Sequence, residues 1–450
     1  MIDFLRNQIK DKSVLLLGFG REGKSSLRMI LKAGGYAKIG IADQAALTPE
    51  DVRAAGVFPV EYIALHTGPD YQDAMDAYDI VFKSPGIVLK RDISEYTCRI
   101  VSQTELFFAR YHDQIVGITG TKGKSTTAAL LHHILQSAGR PCMLAGNIGI
   151  PVFDHCEEIT PDMTIVVELS CHQLEYMTVS SAIGVLINIY EEHLDHYGTM
   201  EKYTAAKQQI YRNQLPEDVL FCNVDFLPEP GAAKSRIVTV GLEKDADISV
   251  YGSEVRVKGE TYKIPTDEIS LLGHHNYFDI AIDYGICRIL GLSPEEFTSG
   301  LKTYETLPHR LKLIAVKDGV KYYDDSISTI DQTAIEALHT LPDADTILIG
   351  GMDRGIDYGA LIEYLKISTV RSIILMEATG RRIYREIMDL SFFPHPERLH
   401  LVEHLEDAVA LAKKQTRPGH SCILSPAAAS YGIFKNFEER GDKFAELVRR

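Results

Sequence analysis

The segment Gly120-Thr121-Lys122-Gly123-Lys124-Ser125-Thr126 has residue types and spacing suited to holding a phosphate. Glycines let a backbone curl until several N–H groups point at one anion. Lys124 adds a point charge that can reach terminal phosphates, and Ser125 offers a hydroxyl to Mg²⁺. The strict G-x-x-x-x-G-K-[ST] spacing is not met, because Ile118 occupies the place of the first glycine. A plain strand–helix turn with a surface lysine is the bland alternative. The Gly-Lys-Ser tail and its strand–helix setting favour the phosphate cradle.

Gly18-Phe-Gly20-Arg21-Glu22-Gly23 repeats the theme as a G-x-G-x-x-G, with Asp43 at the end of the next apolar run. That spacing suits a dinucleotide or a sugar nucleotide, the acid reaching a ribose hydroxyl. Glu168 closes another apolar run, where open α/β sheets gather ligand chemistry, and is a candidate for holding Mg²⁺. Glu191-Glu-His193-Leu-Asp195-His196 follows a further run and has the donor types for a second metal. Lys207 lies downstream in a helical stretch. In the last third, Asp325-Ser326, Gly350-Gly-Met-Asp-Arg354 and Ser425–Ser430 each follow a strand-like run, which gathers them along one edge of a parallel sheet.

These residues need a framework of short buried strands alternating with helices, and the sequence supplies one. Ser13–Gly18, Ala37–Ala42 and Ile80–Phe82 read as strands, with a helix over Lys24–Ala33. Gln114–Thr119, Thr164–Glu168 and Ala182–Asn188 are further strands, with helices over Ser125–Ser137 and His275–Leu290. Several short β-like runs occupy 218–262. Thr346–Ile349, Ser372–Met376, Leu399–Val402 and Cys422–Leu424 alternate with helices over Tyr358–Leu365, Arg381–Leu390 and Leu405–Lys414. The alternation predicts an α/β fold of parallel sheets. Three α/β units with joints near residues 106 and 308 fit the length.

The chain has 450 residues, 45% apolar and 24% charged, an ordinary globular composition. Its net charge of −15 argues against a nucleic-acid coat, which needs a basic surface. No apolar run reaches the ~20 residues of a membrane span, and the start reads as no signal peptide. Seven cysteines without a C-x-x-C pair read as reduced thiols of a cytoplasmic protein.

The succession of G-T-K-G-K-S-T, G-N-I-G (Gly146–Gly149), E-L-S-x-x-Q-L-E (Glu168–Glu175), H-L-D (His193–Asp195), A-A-K (Ala205–Lys207), G-x-H-N (Gly273–Asn276), H-R (His309-Arg310), D-S (Asp325-Ser326), G-G-x-D-R and S-P-A-x-A-S resembles the Mur ligases from end to end. These are ATP-dependent amide-forming enzymes of peptidoglycan precursor synthesis. Ser84–Ile87, His193–Asp195 and Phe437–Gly441 are most similar to the glutamate-adding branch.

The resemblance implies an N-terminal Rossmann-like UDP-substrate domain (1–106), a P-loop ATPase-like ATP domain (107–308) and a Rossmann-like amino-acid domain (309–450). It implies that Gly20, Arg21, Glu22, Asp43 and Ser84 line the UDP site. Asn147, Ser170 and Gln173 would contact the muramoyl-alanine end of UDP-N-acetylmuramoyl-L-alanine. Gly120, Thr121, Lys122, Gly123, Lys124, Ser125, Thr126, Asn276, Arg310 and Asp325 would bind ATP. Ser125, Glu168, His193 and an N-carboxylated Lys207 would hold two Mg²⁺. Thr329, Arg354, Ser430, Tyr431 and Phe437 would surround the incoming glutamate. Lys124, Glu168, His193 and Lys207 form the implied catalytic set.

Ile327 stands where the family carries a Lys, and Cys171-His172 where it carries Ser and an aromatic residue. D- and L-glutamate therefore both remain open as the added amino acid, and a non-catalytic sensor of a cell-wall nucleotide is a further alternative. A folate-polyglutamate ligase would lack the Gly18–Gly23 unit, and an oxidoreductase would leave the Gly-Lys-Ser turn unexplained. A monomer without nucleic-acid or membrane partners is expected.

Overall fold

The computed structural model describes residues 1–56, 62–147, 150–390 and 392–450. Its strands form three sheets. β1 (Ser13–Leu17), β2 (Lys38–Asp43), β3 (Ile63–Thr67), β4 (Ile80–Lys83) and β5 (Arg99–Val101) form a parallel sheet in the order β3-β2-β1-β4-β5. The second sheet contains β6 (Ile115–Thr119), β7 (Cys142–Gly146), β8 (Thr164–Glu168), β9 (Ile183–Leu186), β10 (Val219–Asn223), β11 (Arg236–Leu242), β12 (Ile248–Tyr251), β13 (Glu254–Val257) and β14 (Glu260–Lys263). Their order is β14-β13-β12-β11-β10-β9-β6-β8-β7, antiparallel only across β12-β13-β14. The third contains β15 (Lys312–Lys317), β16 (Val320–Asp324), β17 (Ala344–Gly350), β18 (Ser372–Met376), β19 (Leu399–Val402) and β20 (Ser421–Leu424), ordered β15-β16-β20-β17-β18-β19 with only β15-β16 antiparallel.

The chain condenses into two compact units. One comprises Met1–Pro265 with Tyr277–Leu301 and holds the first two sheets; the other comprises Thr266–Asn276 with Lys302–Arg450 and holds the third.

The apolar runs form strands because both faces of each sheet are covered. In the first sheet Val14, Leu16, Ile39, Ile41, Ile80 and Phe82 enter one core, while Leu15, Leu17, Ala42 and Val81 enter another. The third sheet divides likewise: Ile347, Ile349, Ile373 and Leu375 face one way, Leu348, Ile374 and Met376 the other. This period of two is the strand signature. One continuous core joins the first two sheets, running from Leu5 through Phe107 and Phe108 to Cys222.

The observed helices differ from the sequence expectation mainly at their N-termini. The helix expected from Lys24 begins at Arg21, because Gly20 supplies the extended cap position. The one expected from Arg381 begins at Glu377, directly after β18. β9 stops at Leu186, short of the expected Asn188. All seven cysteines are free thiols, and all but Cys142 are buried. No described helix is long and apolar enough to cross a membrane.

Candidate active site

The C-terminal ends of parallel strands place the chemistry-bearing turns together. In the first sheet, the Gly18–Gly23 turn leaves β1, Asp43 ends β2 and Ser84 follows β4. Gly23 must be glycine: a Cβ there would lie 2.0 Å from the Gly18 carbonyl oxygen. Asp43 braces this turn, accepting hydrogen bonds from the backbone N–H of Phe19 (2.7 Å) and Ala45 (2.8 Å). Ser84 Oγ donates to the Gly18 carbonyl at 3.2 Å, tying the β4 turn to the β1 turn. Gly20 caps helix Arg21–Ala33 without a side-chain hydrogen bond, so the helix N-terminus is free to meet an anion. Arg21 is exposed beside it, and Glu22 is largely buried, which pushes its carboxyl up.

In the second sheet, β6 runs into Gly120–Gly123 and then helix Lys124–Ser137. Gly123 is left-handed (φ 89°), and a Cβ there would lie 2.9 Å from Asp279 Oδ1. The helix has no side-chain cap. The N–H groups of Thr121 and Lys122 both donate to Asn188 Oδ1, each at 2.9 Å, so the segment just after β9 braces the turn. Asn188 was legible only as a strand-end residue; its bracing role carries no local motif. Thr121 Oγ1 lies 3.0 Å from the Tyr203 hydroxyl. Ser125 is buried and Thr126 half-buried in the first helical turn.

The Lys124 ammonium folds back to donate to the carbonyl oxygens of Gly120 (2.9 Å) and Thr121 (3.0 Å). Lys207, wholly buried in helix Met200–Arg212, donates to Gly120 O at 2.7 Å. Burial, and next the neighbouring Lys124 charge, draw Lys207 down to about 7. Burial also lowers Lys124, while Glu168 opposes it. Glu168 is fully buried at the end of β8. Its Oε1 accepts from Asn147 Nδ2 at 2.9 Å, whereas Oε2 has no hydrogen-bond partner. Buried carboxylate oxygens are rarely left so, and such an orphan marks a place for a ligand. The Gly146–Gly149 motif is seen as far as Asn147; Ile148 and Gly149 lie outside the described residues.

Ser170 and Gln173 form a capping box on the short helix Cys171–Leu174. Gln173 Nε2 then donates to Glu22 Oε1 at 3.1 Å, linking the first two sheets. A second link is Lys83 Nζ, 3.7 Å from Glu175 Oε2, which also lies 3.3 Å from His196 Nε2. Lys83 and Glu175 were missed as linking residues in sequence; Lys83 belongs to no motif, and Glu175 only closes the E-L-S-x-x-Q-L-E segment. His193 caps helix Leu194–Tyr197 in a left-handed conformation (φ 57°). Its ring packs edge-on against His172, with centroids 4.9 Å apart, and burial lowers its pKa toward the neutral imidazole. Among the described residues no three His, Cys, Asp or Glu converge on one point.

The second unit carries the remaining predicted residues. Asn276 Nδ2 donates to the Leu272 carbonyl, and Arg310 is half-buried. Asp325 is buried after β16 and accepts from Leu311 N (3.1 Å), Ser328 Oγ (2.5 Å) and Ser425 Oγ (2.8 Å). Burial raises it to about 7. It ties together the ends of β16 and β20. Arg354 is exposed and donates from Nη2 to the Thr329 carbonyl at 3.2 Å. Ser430 is buried, Tyr431 is 60% exposed, and the Phe437 carbonyl accepts from Ser326 Oγ at 2.8 Å. Thr329, Arg354 and Phe437 are thus joined through Ser326–Thr329 along one edge, while Tyr431 faces solvent. Arg440 was missed: the F-E-E-R-G segment was noted, but nothing in it signals that its arginine is fully buried.

Comparison with known proteins bears on this arrangement. Residues 118–282 match the Mur ligase middle domain. The chain is 32% identical over 456 residues to the UDP-N-acetylmuramoylalanine–D-glutamate ligase of Pelotomaculum thermopropionicum, covering 97% of each chain. It is 31% identical over 451 residues to the enzyme of the same name from Geobacillus kaustophilus, covering 98% of each. Among solved structures it resembles the Thermotoga maritima MurF ligase in complex with ADP (TM-score 0.57, 16% identity, 98% of this chain and 95% of that one). It also resembles the UDP-N-acetylmuramate–alanine ligase MurC of Thermotoga maritima (TM-score 0.59, 18% identity, 97% and 99%). At these identities the likeness to the two structures is one of fold.

Proposed function

Because the chain belongs to the Mur ligase family, we propose that it is an ATP-dependent ligase joining D-glutamate to UDP-N-acetylmuramoyl-L-alanine in peptidoglycan precursor synthesis. The observation that carries this reading is the braced turn of Gly120–Gly123, with Lys124 and the orphaned Glu168 oxygen beside it. We assign residues 1–106 to the UDP substrate, 107–308 to ATP and 309–450 to the amino acid.

The acceptor carboxylate attacks the γ-phosphorus of ATP, giving an acyl phosphate and ADP. The glutamate amine then attacks the acyl carbon through a tetrahedral oxyanion, and phosphate leaves. Two anions meeting at ~4 Å repel by about 4 kcal/mol at an effective dielectric near 20. Lys124 offsets part of this. In the free chain it rests on two carbonyls, which exchange for phosphate oxygens on binding. The uncapped N-terminus of helix Lys124–Ser137 adds backbone N–H groups. Gly20, Arg21, Glu22, Asp43 and Ser84 hold the UDP moiety. Asn147, Ser170 and Gln173 orient the muramoyl-alanine end. Asn276, Arg310 and Asp325 serve the nucleotide, and Thr329, Arg354, Ser430, Tyr431 and Phe437 the amino acid.

The donor set suits two magnesium ions. Glu168 Oε2 is buried and unpartnered, and Ser125 occupies the first turn of the following helix, an oxygen pair for one ion. His193, shifted toward its neutral form, and Lys207 suit the other. Bound there, the ions would neutralise phosphate charge. A lysine near pKa 7 holds a nucleophilic neutral amine at physiological pH. N-carboxylation of Lys207 would turn a repelled ammonium into an anionic ligand. We further assign the protein to the cytoplasm, as a monomer.

The test is ADP release with and without the acceptor. Lys124→Ala abolishes the acceptor-dependent fraction; full activity in that variant overturns the phosphate-cradle assignment. Product analysis with D- and L-glutamate offered together decides the stereochemistry.

A further inference from the structure

Arg440 is among the largest wholly buried side chains of the molecule. It sits in the first turn of helix Phe437–Arg449, and its guanidinium reaches the ends of two central strands of the third sheet. Nε donates to Ser326 Oγ at 3.0 Å and Nη2 to the Ser326 carbonyl at 2.8 Å. Nη1 makes only a 3.5 Å contact with the Gly350 carbonyl, and a Cβ on Gly351 would lie 3.0 Å from it. The guanidinium therefore lies directly against the Gly350-Gly351 turn.

A guanidinium has five N–H donors, and buried ones are normally neutralised by a carboxylate. All three acceptors here are neutral. The acids that act on Arg440 through space are Glu377 and Asp324, neither joined to it by an ion pair among the described residues. Asp324 is already engaged, Oδ2 with His309 Nδ1 at 2.7 Å and Oδ1 accepting from Ser326 N at 3.0 Å. Glu377, at the start of the helix after β18, has a buried Oε1 with no partner. Burial draws the Arg440 guanidinium down to about 10.

We propose that Arg440 is a positioning residue for charge selectivity, fixing the Ser326 and Gly350-Gly351 segments from beneath and favouring by its charge the side-chain carboxylate of an incoming amino acid seated against them. This rests on reading that edge as the amino-acid site. The segment Ser326–Ile330 contains no cationic side chain. The edge then offers two guanidiniums, Arg354 exposed at the rim and Arg440 buried beneath. An amino acid with two carboxylates can meet Arg354 directly with one, place the other in the field of Arg440, and leave its amine free to attack. Arg440 is wholly buried, so it acts by its field and through the groups it fixes.

The experiment compares D-glutamate with D-glutamine, a near-isostere lacking the side-chain charge, in the full-length enzyme with ATP and UDP-N-acetylmuramoyl-L-alanine. Wild type that releases no ADP with D-glutamate and acceptor refutes the function reading alone. Given an active wild type, Arg440→Met is expected to lower the glutamate-over-glutamine ratio of kcat/KM at least tenfold, mainly through the KM for glutamate. KM for ATP and for the acceptor should change less than twofold. Arg440→Lys, which keeps the charge, should hold the ratio within about threefold of wild type. An unchanged ratio in folded Arg440→Met overturns the proposal. So does an equal rise of all three KM values, which marks a merely structural role. If Arg440→Met does not fold, Arg440→Lys decides: a tenfold loss of the ratio in that variant sinks the idea.

Discussion

Lys124 and Lys207 donate to the same atom, the carbonyl oxygen of Gly120, at 2.9 and 2.7 Å. Lys207 is wholly buried and Lys124 half-buried. Burial first, and then the charge of Lys124 beside it, draws Lys207 down to about 7.

This yields a pH dependence of stability. The folded-state pKa of Lys207 lies below its ordinary value, so between about 7 and 10.4 the unfolded chain holds a proton that the folded chain has lost. Stability contributed by this residue rises with pH across that window and is absent below it. Lys207→Met removes the slope, at most ~1.4 kcal/mol per pH unit. Urea midpoints in CO₂-free buffer at pH 6.5, 8 and 9.5 measure it. Parallel curves for the two proteins would refute the assignment.

Glu168→Gln keeps the hydrogen bond from Asn147 while removing the charge at the orphaned oxygen. Acceptor-dependent ADP release should fall by about 100-fold or more, the scale of losing one preorganised electrostatic group. Thermal melting should shift little, since no intramolecular partner of Oε2 is lost. A variant with wild-type turnover at low Mg²⁺ would exclude Glu168 as a metal ligand.

Asp283 lies wholly buried within helix His274–Ile289, both carboxylate oxygens unpartnered, and burial raises its pKa well above normal. The folded state therefore favours the protonated acid. As pH climbs past ~4 the unfolded chain ionises first, and wild type loses stability up to the folded-state pKa. Asp283→Asn is nearly isosteric and has no such loss. Its advantage over wild type should be near zero at pH 4 and grow toward pH 8. Chemical denaturation at the two pH values tests this, and a constant gap would show the acid to be ionised.

Lys83→Met breaks the buried contact with Glu175 and leaves that carboxylate without its lysine, beside His196. Removing one member of such a pair costs about 3 kcal/mol. Burial lowers the Lys83 pKa while Glu175 opposes the shift, as expected of a real partner. A double-mutant cycle with Glu175→Gln should return most of the loss; additive effects would mean the two residues do not interact.

The strands were legible because both faces of a parallel sheet are covered, so runs such as Val14–Leu17 and Ile347–Ile349 read as unbroken apolar stretches. The turns that follow them were legible because a glycine beside a lysine has few structural uses. Other features depend on distant parts of the chain. β6 lies between β8 and β9, a pairing that no local pattern encodes. The Lys83–Glu175 contact joins the end of β4 in the first sheet to the C-cap of the helix that follows β8 in the second. Asp283 and Arg440 look like ordinary helix-surface charges in the sequence, because solvation is set by what packs over a helix. The left-handed His193 is invisible for the same reason, its conformation being imposed from outside its own segment.

The native thiols also have a practical consequence. Six of the seven are buried, and Cys156, Cys222 and Cys422 are pushed up to about 12, far from the reactive thiolate. A single cysteine introduced at an exposed position such as Tyr431 would therefore take a maleimide dye ahead of the natural ones. The enzyme is ready for fluorescence reporting without first being stripped of its own sulfur.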